Sequence, residues 1–479
     1  MAAVDLLIRG ARVFDGSGAP GQVLDVAVTG DRIVAVGPAL GLPAAETIDA
    51  DGLALAPGFI DVHTHDDMAV LTRVGSAPKV SQGVTTVVTG NCGISAAPDP
   101  LTRHPTPIPP LDLLGEAGAF RYAGFADYLA AVAEAGPAVN VVPLVGHTAL
   151  RARAMDSLDG PATADEIAAM RRDLAAALDA GAAGLSTGLA YPPAKATATA
   201  ELLALVGDVA AAGALWTTHM RDERSGVVSA VAETIDIARR TGSRTLISHH
   251  KCCGAASFGL SRTTLAMIAE ARQELTLDLD VYPYTASSTV LIAGFARDST
   301  RVTVTWSDPH PEMNGRDLDE IARAWDVSES DALERLKPGG AIYHQMDGED
   351  LDRILSYPHS LVGSDGLPRD RRPHPRLWGT FPRVLGHFSR DRALMPLERA
   401  VAKMTGQTAA VLGLSDRGLV REGYFADLVL FDPDRVVDAA DYDDPVAPSL
   451  GIALVMVNGG RSWNGGAAAD AGVGRVLRR

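Results

Sequence analysis

Two histidines, His63 and His65, close a short apolar stretch that begins with a Pro-Gly pair at residues 57–58. Residues i and i+2 of a β-strand point to the same side, so both imidazole rings would face one point. Imidazole nitrogens directed at one point form part of a binding site for a divalent metal. Without further ligands, the pair would simply be two polar residues facing water at a strand end. The rest of the chain has to supply those ligands.

Four more potential metal ligands lie at the ends of other predicted strands. Each follows a run of residues typical of a buried strand, and they are Cys92, His219, His249 and Asp365. Singly, each has an ordinary explanation as a buried cysteine, a core histidine or a turn aspartate. Such separate roles do not explain why residues of these types all follow predicted strands, where they would lie on one face of the protein. Two histidines and one cysteine with an open fourth position suit a catalytic zinc ion.

The elements that would bring these side chains together alternate between strand and helix. The strand-like runs begin at Pro57, Val84, Val139, Ala183, Leu215, Thr245, Leu277 and Ser360. The clearest helix is predicted over residues 163–180, where Thr163 and Glu166 form a capping box and Gly181 ends the helix. This alternation predicts an α/β fold, a parallel (β/α)8 TIM-like barrel whose strands all end at one catalytic face.

Both ends of the chain show short alternating strands separated by turns. We predict that residues 1–56 and 418–479 form one small β-sandwich domain, because neither end has enough strands for a stable domain alone. Residues 57–417 form the predicted barrel domain. A long insertion with helical patterns, at about residues 286–345, follows a barrel strand. An insertion at that position would lie on the catalytic face as a lid.

Composition excludes several classes of protein. Of the 479 residues, 47% are hydrophobic and 21% are charged, which is typical of a globular protein. The net charge of −16 argues against a nucleic-acid partner, because phosphate binding requires a basic face. No apolar run is long enough for a membrane span, and three cysteines, two of them adjacent, form no disulfide framework. We therefore expect a cytoplasmic protein; the sequence gives no prediction of its oligomeric state.

Several motifs resemble those of the N-acyl-D-amino-acid deacylases (D-aminoacylases) of the amidohydrolase superfamily. The resemblance covers nearly the whole chain, and its motifs are Pro57–Asp61 leading into His63-Thr64-His65, Asn91-Cys92-Gly93, Thr218–Glu223, Ser248–Lys251, Asp280–Tyr284 and Ser364-Asp365. Many binuclear amidohydrolases use a carboxylated lysine on the fourth strand as a bridging metal ligand. Residues 184–188, predicted as that strand, contain no lysine, and Cys92 is expected to replace it.

For the metal, the resemblance implies one tight zinc site and a second, weaker one. The implied ligands of the tightly bound zinc are Cys92, His219 and His249. The residues that would border the weaker site are His63, His65 and Asp365. Zinc lowers the pKa of bound water to about 7 and polarises a carbonyl group. Asp365 would then be the general base that takes the water proton and returns it to the leaving amine.

For the substrate, the resemblance implies a small N-acyl-D-amino acid, hydrolysed at its amide to a carboxylate and a D-amino acid. The positions matched to binding of its α-carboxylate are Lys251, Tyr282 and Arg376. Of these, Arg376 adjoins a Pro- and Arg-rich stretch of exposed character, residues 368–375.

Three alternatives remain open at the level of sequence. A cyclic-amide hydrolase of the hydantoinase or dihydropyrimidinase type would use the same barrel, although the missing strand-four lysine argues against it. A deacylase specific for N-acyl-D-glutamate and a barrel that only binds are the others. The side-chain pocket would favour either an apolar or an acidic amino acid, and the lid residues that are candidates to decide this are Leu291, Phe295 and Tyr343.

Overall fold

The computed structural model of the chain describes residues 3–72, 74–468 and 472–479. In chain order, its strands β1 to β20 are Val4–Val13, Gln22–Thr29, Arg32–Gly37, Ala44–Asp49, Ala54–Pro57, Phe59–Asp61, Val84–Thr89, Asn140–Gly146, Gly184–Gly188, Leu215–His219, Arg244–Ile247, Leu277–Val281, Ala286–Val290, Arg301–Ser307, Gly339–His344, Ser360–Val362, Leu428–Phe431, Ile452–Val457, Gly460–Asn464 and Ala467–Ala468.

The α-helices connect many of these strands. In chain order, α1 to α15 are Ala77–Val80, Phe125–Ala135, His147–Ala154, Ala164–Asp179, Pro192–Lys195, Thr199–Ala211, Val227–Thr241, Ser261–Ala271, Ala293–Arg297, Leu318–Trp325, Glu329–Arg335, Gly348–Ser356, Arg376–Arg383, Leu397–Met404 and Gly406–Leu412. A π-helical segment, Val384–Asp391, extends α13. No helix among the described residues is long and apolar enough to cross a membrane.

Eight parallel strands form the barrel in the order β6-β7-β8-β9-β10-β11-β12-β16. Beyond the ends of β6 and β16, a parallel bridge between Thr64 and Gly366 joins the first and last strands. The predicted TIM-like barrel is confirmed. Parallel strands covered on both faces are apolar and β-branched without alternation, and β7, with sequence VTTVVT, is buried at every position. All eight strands therefore end at one face.

Helix α4 shows how local sequence fixes one element of the barrel. The backbone N–H of Thr163 donates to Oε2 of Glu166 at 2.7 Å, and the N–H of Glu166 donates to Oγ1 of Thr163 at 3.3 Å. This reciprocal pair satisfies donors that the first turn of a helix leaves free. Met170 and Leu174 of this helix are buried in the hydrophobic core of the barrel. The predicted helix and its capping box are confirmed.

Strands from both ends of the chain form one further sheet of nine strands, which encloses a hydrophobic core of its own. β17 pairs antiparallel with β5 and thereby joins the two ends. The predicted terminal sandwich is confirmed as part of the fold, whereas the boundaries at residues 56 and 418 stay predictions. Strand β4, which pairs in parallel with β1, was not predicted. Most of its side chains are exposed, so it has no apolar alternation to detect.

The insertion after β12 contains a sheet as well as helices. β15 pairs antiparallel with both β13 and β14, beside α9, α10 and α11. The sequence predicted only the helical part, because strands such as β13, sequence ASSTV, are short and polar. Leu291 and Tyr343 are buried in the insertion's own core, and Phe295 packs against Tyr343. These lid candidates for the side-chain pocket thus have a packing role, and the lid itself stays a prediction.

Candidate metal centre

The six predicted metal ligands converge at the C-terminal ends of the barrel strands. Their ligand atoms form two overlapping groups, in each of which all atoms lie within 4.8 Å of one another: His63, His65, Cys92 and Asp365, and Cys92, His219 and His249. Cys92 belongs to both groups, because its Sγ is 3.2 Å from Nε2 of His63 and 3.2 Å from Nε2 of His249. The thiol is therefore placed to be a ligand shared by two metal positions.

Three of these residues have a left-handed backbone conformation. The φ angles of Cys92, His249 and Asp365 are 54°, 35° and 51°. Residues with a β-carbon adopt this region rarely, at a cost of about 1–2 kcal/mol each. Each of the three lies just beyond the end of a barrel strand, and its side chain belongs to the cluster in the barrel mouth. Such strain concentrates at functional sites.

The donor atoms fit a zinc ion. Among the described residues, neither ring nitrogen of the buried His219 makes a hydrogen bond, although buried polar atoms normally have a partner. Burial lowers the pKa of His219 and of His249 well below the usual histidine value. Both are thus held as neutral imidazoles, the form that binds metals. A thiolate together with neutral imidazoles is a ligand set that zinc prefers.

Two acidic residues, Asp280 and Glu223, contact the predicted metal ligands His63 and His249 and orient them. Nδ1 of His63 lies 3.3 Å from Oδ2 of Asp280, and the backbone N–H of His249 donates to Oδ1 of the same carboxylate at 2.9 Å. Nδ1 of His249 lies 2.9 Å from Oε1 of Glu223 and 2.7 Å from Nζ of Lys251, and that Nζ donates to Oε1 of Glu223 at 2.7 Å. Such partners fix the ring orientation of metal-binding histidines. Sequence reasoning missed this role of Glu223, although it lies four residues after His219.

A buried lysine, whose role the sequence analysis did not predict, links the first and last barrel strands through hydrogen bonds. Nζ of Lys79 donates to Oδ2 of Asp61 at 2.8 Å and to Oγ of Ser364 at 2.7 Å. Oδ1 of Asp61 accepts the backbone N–H of Ser364 at 2.8 Å. Asp365 N–H in turn donates to the carbonyl of His63 at 2.7 Å. This network fixes the predicted general base relative to the His-x-His motif.

Asp365 lies between the predicted metal ligand His65 and the predicted substrate residue Arg376. Its Oδ1 is 3.1 Å from Nε2 of His65, and its Oδ2 is 2.9 Å from Nη1 of Arg376. Burial raises the pKa of this carboxyl, but the Arg376 guanidinium and the neighbouring histidines outweigh burial and hold the pKa well below the usual range. Asp365 is therefore ionised at neutral pH and able to accept a proton.

Two of the three predicted substrate residues, Arg376 and Lys251, lie beside the aromatic ring of the third, Tyr282. The guanidinium of Arg376 lies 4.6 Å from its centroid, and Nζ of Lys251 lies 5.6 Å from it. Arg376 is fully buried as the first residue of α13. The prediction that it lies in exposed surroundings is therefore wrong. The preceding stretch folds inward, where His374 accepts the backbone N–H of Arg376 at 3.0 Å. Among described residues, Nε of Arg376 has no hydrogen-bond partner and remains a donor for a carboxylate.

Replacing Glu223 by glutamine is expected to weaken zinc binding by about 10–100-fold, the usual effect of losing a partner that orients a metal-binding histidine. The amide keeps the size of the side chain but loses the charge that faces His249 and Lys251. Competition with a chromophoric chelator measures the affinity. Glu233→Gln is the matched control, because that carboxylate pairs with Arg221. Equal zinc affinity in both variants would contradict the role of Glu223.

A parallel barrel with a cysteine, histidines and an aspartate gathered at its mouth defines a metal-dependent hydrolase of the (β/α)8 class. The model of the amidohydrolase family matches residues 46–461, and the chain belongs to that family. The family membership inferred from the motifs is thereby confirmed.

Relatives along the whole chain act on acylated D-amino acids according to their names. The chain is 49% identical over 475 residues to a D-aminoacylase of Alcaligenes xylosoxydans xylosoxydans, a match that covers 99% of this chain and 98% of the relative. It is 50% identical over 477 residues to an N-acyl-D-aspartate deacylase of the same organism, covering 99% and 95%. The crystal structure of N-acyl-D-glutamate deacylase from Bordetella bronchiseptica contains zinc and a phosphonate mimic of the tetrahedral intermediate. It matches with a TM-score of 0.93, 45% identity and 100% coverage of both chains.

Proposed function

We propose that this protein hydrolyses the N-acyl amide of N-acyl-D-amino acids in a zinc-dependent reaction that yields a carboxylate and a D-amino acid. The observation that carries the proposal is the position of Asp365 between the predicted zinc ligands and a buried arginine. Relatives with 45–50% identity along the whole chain, one of them with zinc and a phosphonate inhibitor, support the same reaction.

Cys92, His219 and His249 would hold the tightly bound ion, and His63 and His65 would border the second position. When bound, zinc supplies the Lewis acidity that activates water and polarises the amide carbonyl. Asp280 and Glu223 keep the ring nitrogens of the histidines directed at the centre. The residues thus provide a rigid set of donors that is largely formed before the substrate binds.

Asp365 would move the proton of the reaction. As an ionised carboxylate held between His65 and Arg376, it accepts a proton from the attacking water. When the carbon–nitrogen bond breaks, the same carboxyl returns that proton to the amine of the departing amino acid. One group thereby acts as base and then as acid, and no net proton is lost by the protein.

Arg376 and Lys251 would bind the α-carboxylate of the substrate. Both cations lie beside the ring of Tyr282, and a guanidinium offers two parallel donors to a carboxylate. The free Nε of Arg376 and the unpartnered Oγ of Ser288, counted among the described residues, are available for it. The D-preference is transferred from the names of the relatives.

A substrate panel tests the function. Zinc content is measured in the purified protein, which is then assayed with both enantiomers of N-acetyl-methionine, N-acetyl-aspartate and N-acetyl-glutamate, and with a hydantoin. We expect bound zinc and hydrolysis of D-enantiomers only, with the most active substrate identifying the side-chain class. Zinc-loaded protein that opens the hydantoin and leaves every N-acetyl-D-amino acid intact would contradict the proposal.

A cytoplasmic location is part of the proposal. The three cysteines are buried and unpaired, and one of them is a predicted zinc ligand, which requires a reduced thiol. The net charge of −16 agrees with a small-molecule substrate and with no nucleic-acid partner.

A further inference from the structure

A cleft of about 550 Å³ borders His65 and has a largely apolar lining. The side chains that give it this character include Met68, Leu113, Leu114, Leu377 and Trp378. Two charged residues also line it: the guanidinium of Arg369 is stacked on Trp306 at 4.5 Å, and the carboxyl group of Asp370 is buried, which raises its pKa to about 7. None of the reaction steps described above uses this cleft.

Two valines of the cleft lining are strongly exposed. Val74 is 81% and Val446 is 52% exposed, and both belong to the small set of large hydrophobic residues that remain exposed among those described. Single exposed apolar residues are ordinary, but here two of them adjoin an apolar cleft that reaches the catalytic centre. A contiguous apolar surface of this kind marks a binding site for an apolar group.

The contacts of the two carboxylate oxygens of Asp365 indicate how the substrate is oriented in the site. Arg376, the proposed partner of the α-carboxylate, contacts Oδ2, whereas His65 contacts Oδ1. The carbonyl carbon of the amide carries the amino acid on one side and the acyl chain on the other. When the amino-acid part is bound at Arg376, the acyl chain extends from the carbonyl carbon towards His65. His65 is also the residue of the centre that lines the cleft.

We propose that this cleft is the binding site for the acyl chain, and that the enzyme prefers N-acyl-D-amino acids with medium-length alkyl chains over N-acetyl substrates. This inference rests on the proposed deacylase function. It assigns the apolar cleft to one occupant, the unbranched alkyl part of the acyl group. The chain would lie along the wall formed by Leu113, Leu114 and Leu377 and reach the valines beyond it.

A chain-length series tests the proposal on the zinc-loaded enzyme. The acetyl, butanoyl, hexanoyl and octanoyl derivatives of the best D-amino acid are compared by kcat/KM. Burying a methylene group in an apolar site contributes up to about fourfold, and the cleft is partly open, so we expect a total gain of at least about tenfold from acetyl to octanoyl. A flat or falling series in an enzyme that hydrolyses the acetyl substrate would overturn the cleft assignment alone.

Two substitutions locate the effect. Ala77→Phe fills the cleft from a partly exposed position on α1, and Val74→Asp places a charge beside it without burying a new group. Both should remove most of the chain-length gain and leave the N-acetyl rate unchanged. Val23→Asp, at a valine that is 69% exposed on the terminal sheet, is the matched control and should retain the gain.

The outcomes separate the two proposals. Retention of the full gain in Val74→Asp would overturn the cleft assignment, even if Ala77→Phe failed to fold. Absence of hydrolysis of every substrate in the series by the zinc-loaded enzyme would refute the deacylase function and, with it, this inference.

Discussion

Asp365→Asn is expected to lower kcat by roughly 10²–10⁴-fold, the contribution typical of a positioned general acid–base group. The amide has the shape of the carboxylate and can still accept a hydrogen bond from His65, but it cannot take a proton from water. The proposed tight ligands lie in the other group of donors, which shares only Cys92 with the group of Asp365, so one zinc ion should remain bound. Steady-state kinetics and metal analysis of the same sample measure both quantities.

Asp278→Asn is the control for Asp365→Asn. This buried carboxylate lies on barrel strand β12 and pairs with Arg272, and burial raises its pKa, so it is desolvated without contact to the predicted ligands or to the proposed substrate residues. Its replacement should change kcat only slightly. Full activity in Asp365→Asn would refute the role of Asp365 as the base. A comparable loss of kcat in both variants would assign the effect to distortion of the barrel.

Cys92→Ala is expected to remove the tightly bound zinc and, with it, nearly all activity. The thiol is the one donor that both groups of ligand atoms share, at 3.2 Å from His63 and from His249. Losing a direct ligand should cost more than the roughly 10–100-fold in affinity that follows from losing a partner of a ligand. Zinc content after dialysis and a chelator titration measure the change.

Cys252→Ala provides the comparison for Cys92→Ala. Cys252 is equally buried, but it packs in the hydrophobic core of the barrel and belongs to neither group of ligand atoms. Its alanine variant should retain stoichiometric zinc and the wild-type kcat. Zinc that survives dialysis in Cys92→Ala at the wild-type level would show that the histidines hold the ion without the thiol, and would contradict the assignment of Cys92.

Local patterns in the sequence were sufficient for the elements of the barrel. The capping box of Thr163 and Glu166 places the start of α4 correctly, because the donors and acceptors that it pairs are three residues apart. β7 is recognisable because a strand covered on both faces needs apolar and β-branched residues at nearly every position. β4 and β13 were not recognised, since exposed or polar strands lack such a pattern.

The sequence by itself determined the types of chemical group at the site and the fold that gathers them. His63, Cys92 and Asp365 follow recognisable strands, and in a parallel barrel all strands end at one face, so their proximity follows from topology. Only the tertiary structure decided the burial of Arg376 and the network of Lys79 with Asp61 and Ser364. The partners in that network come from distant segments, and neither local periodicity nor motif spacing encodes such contacts.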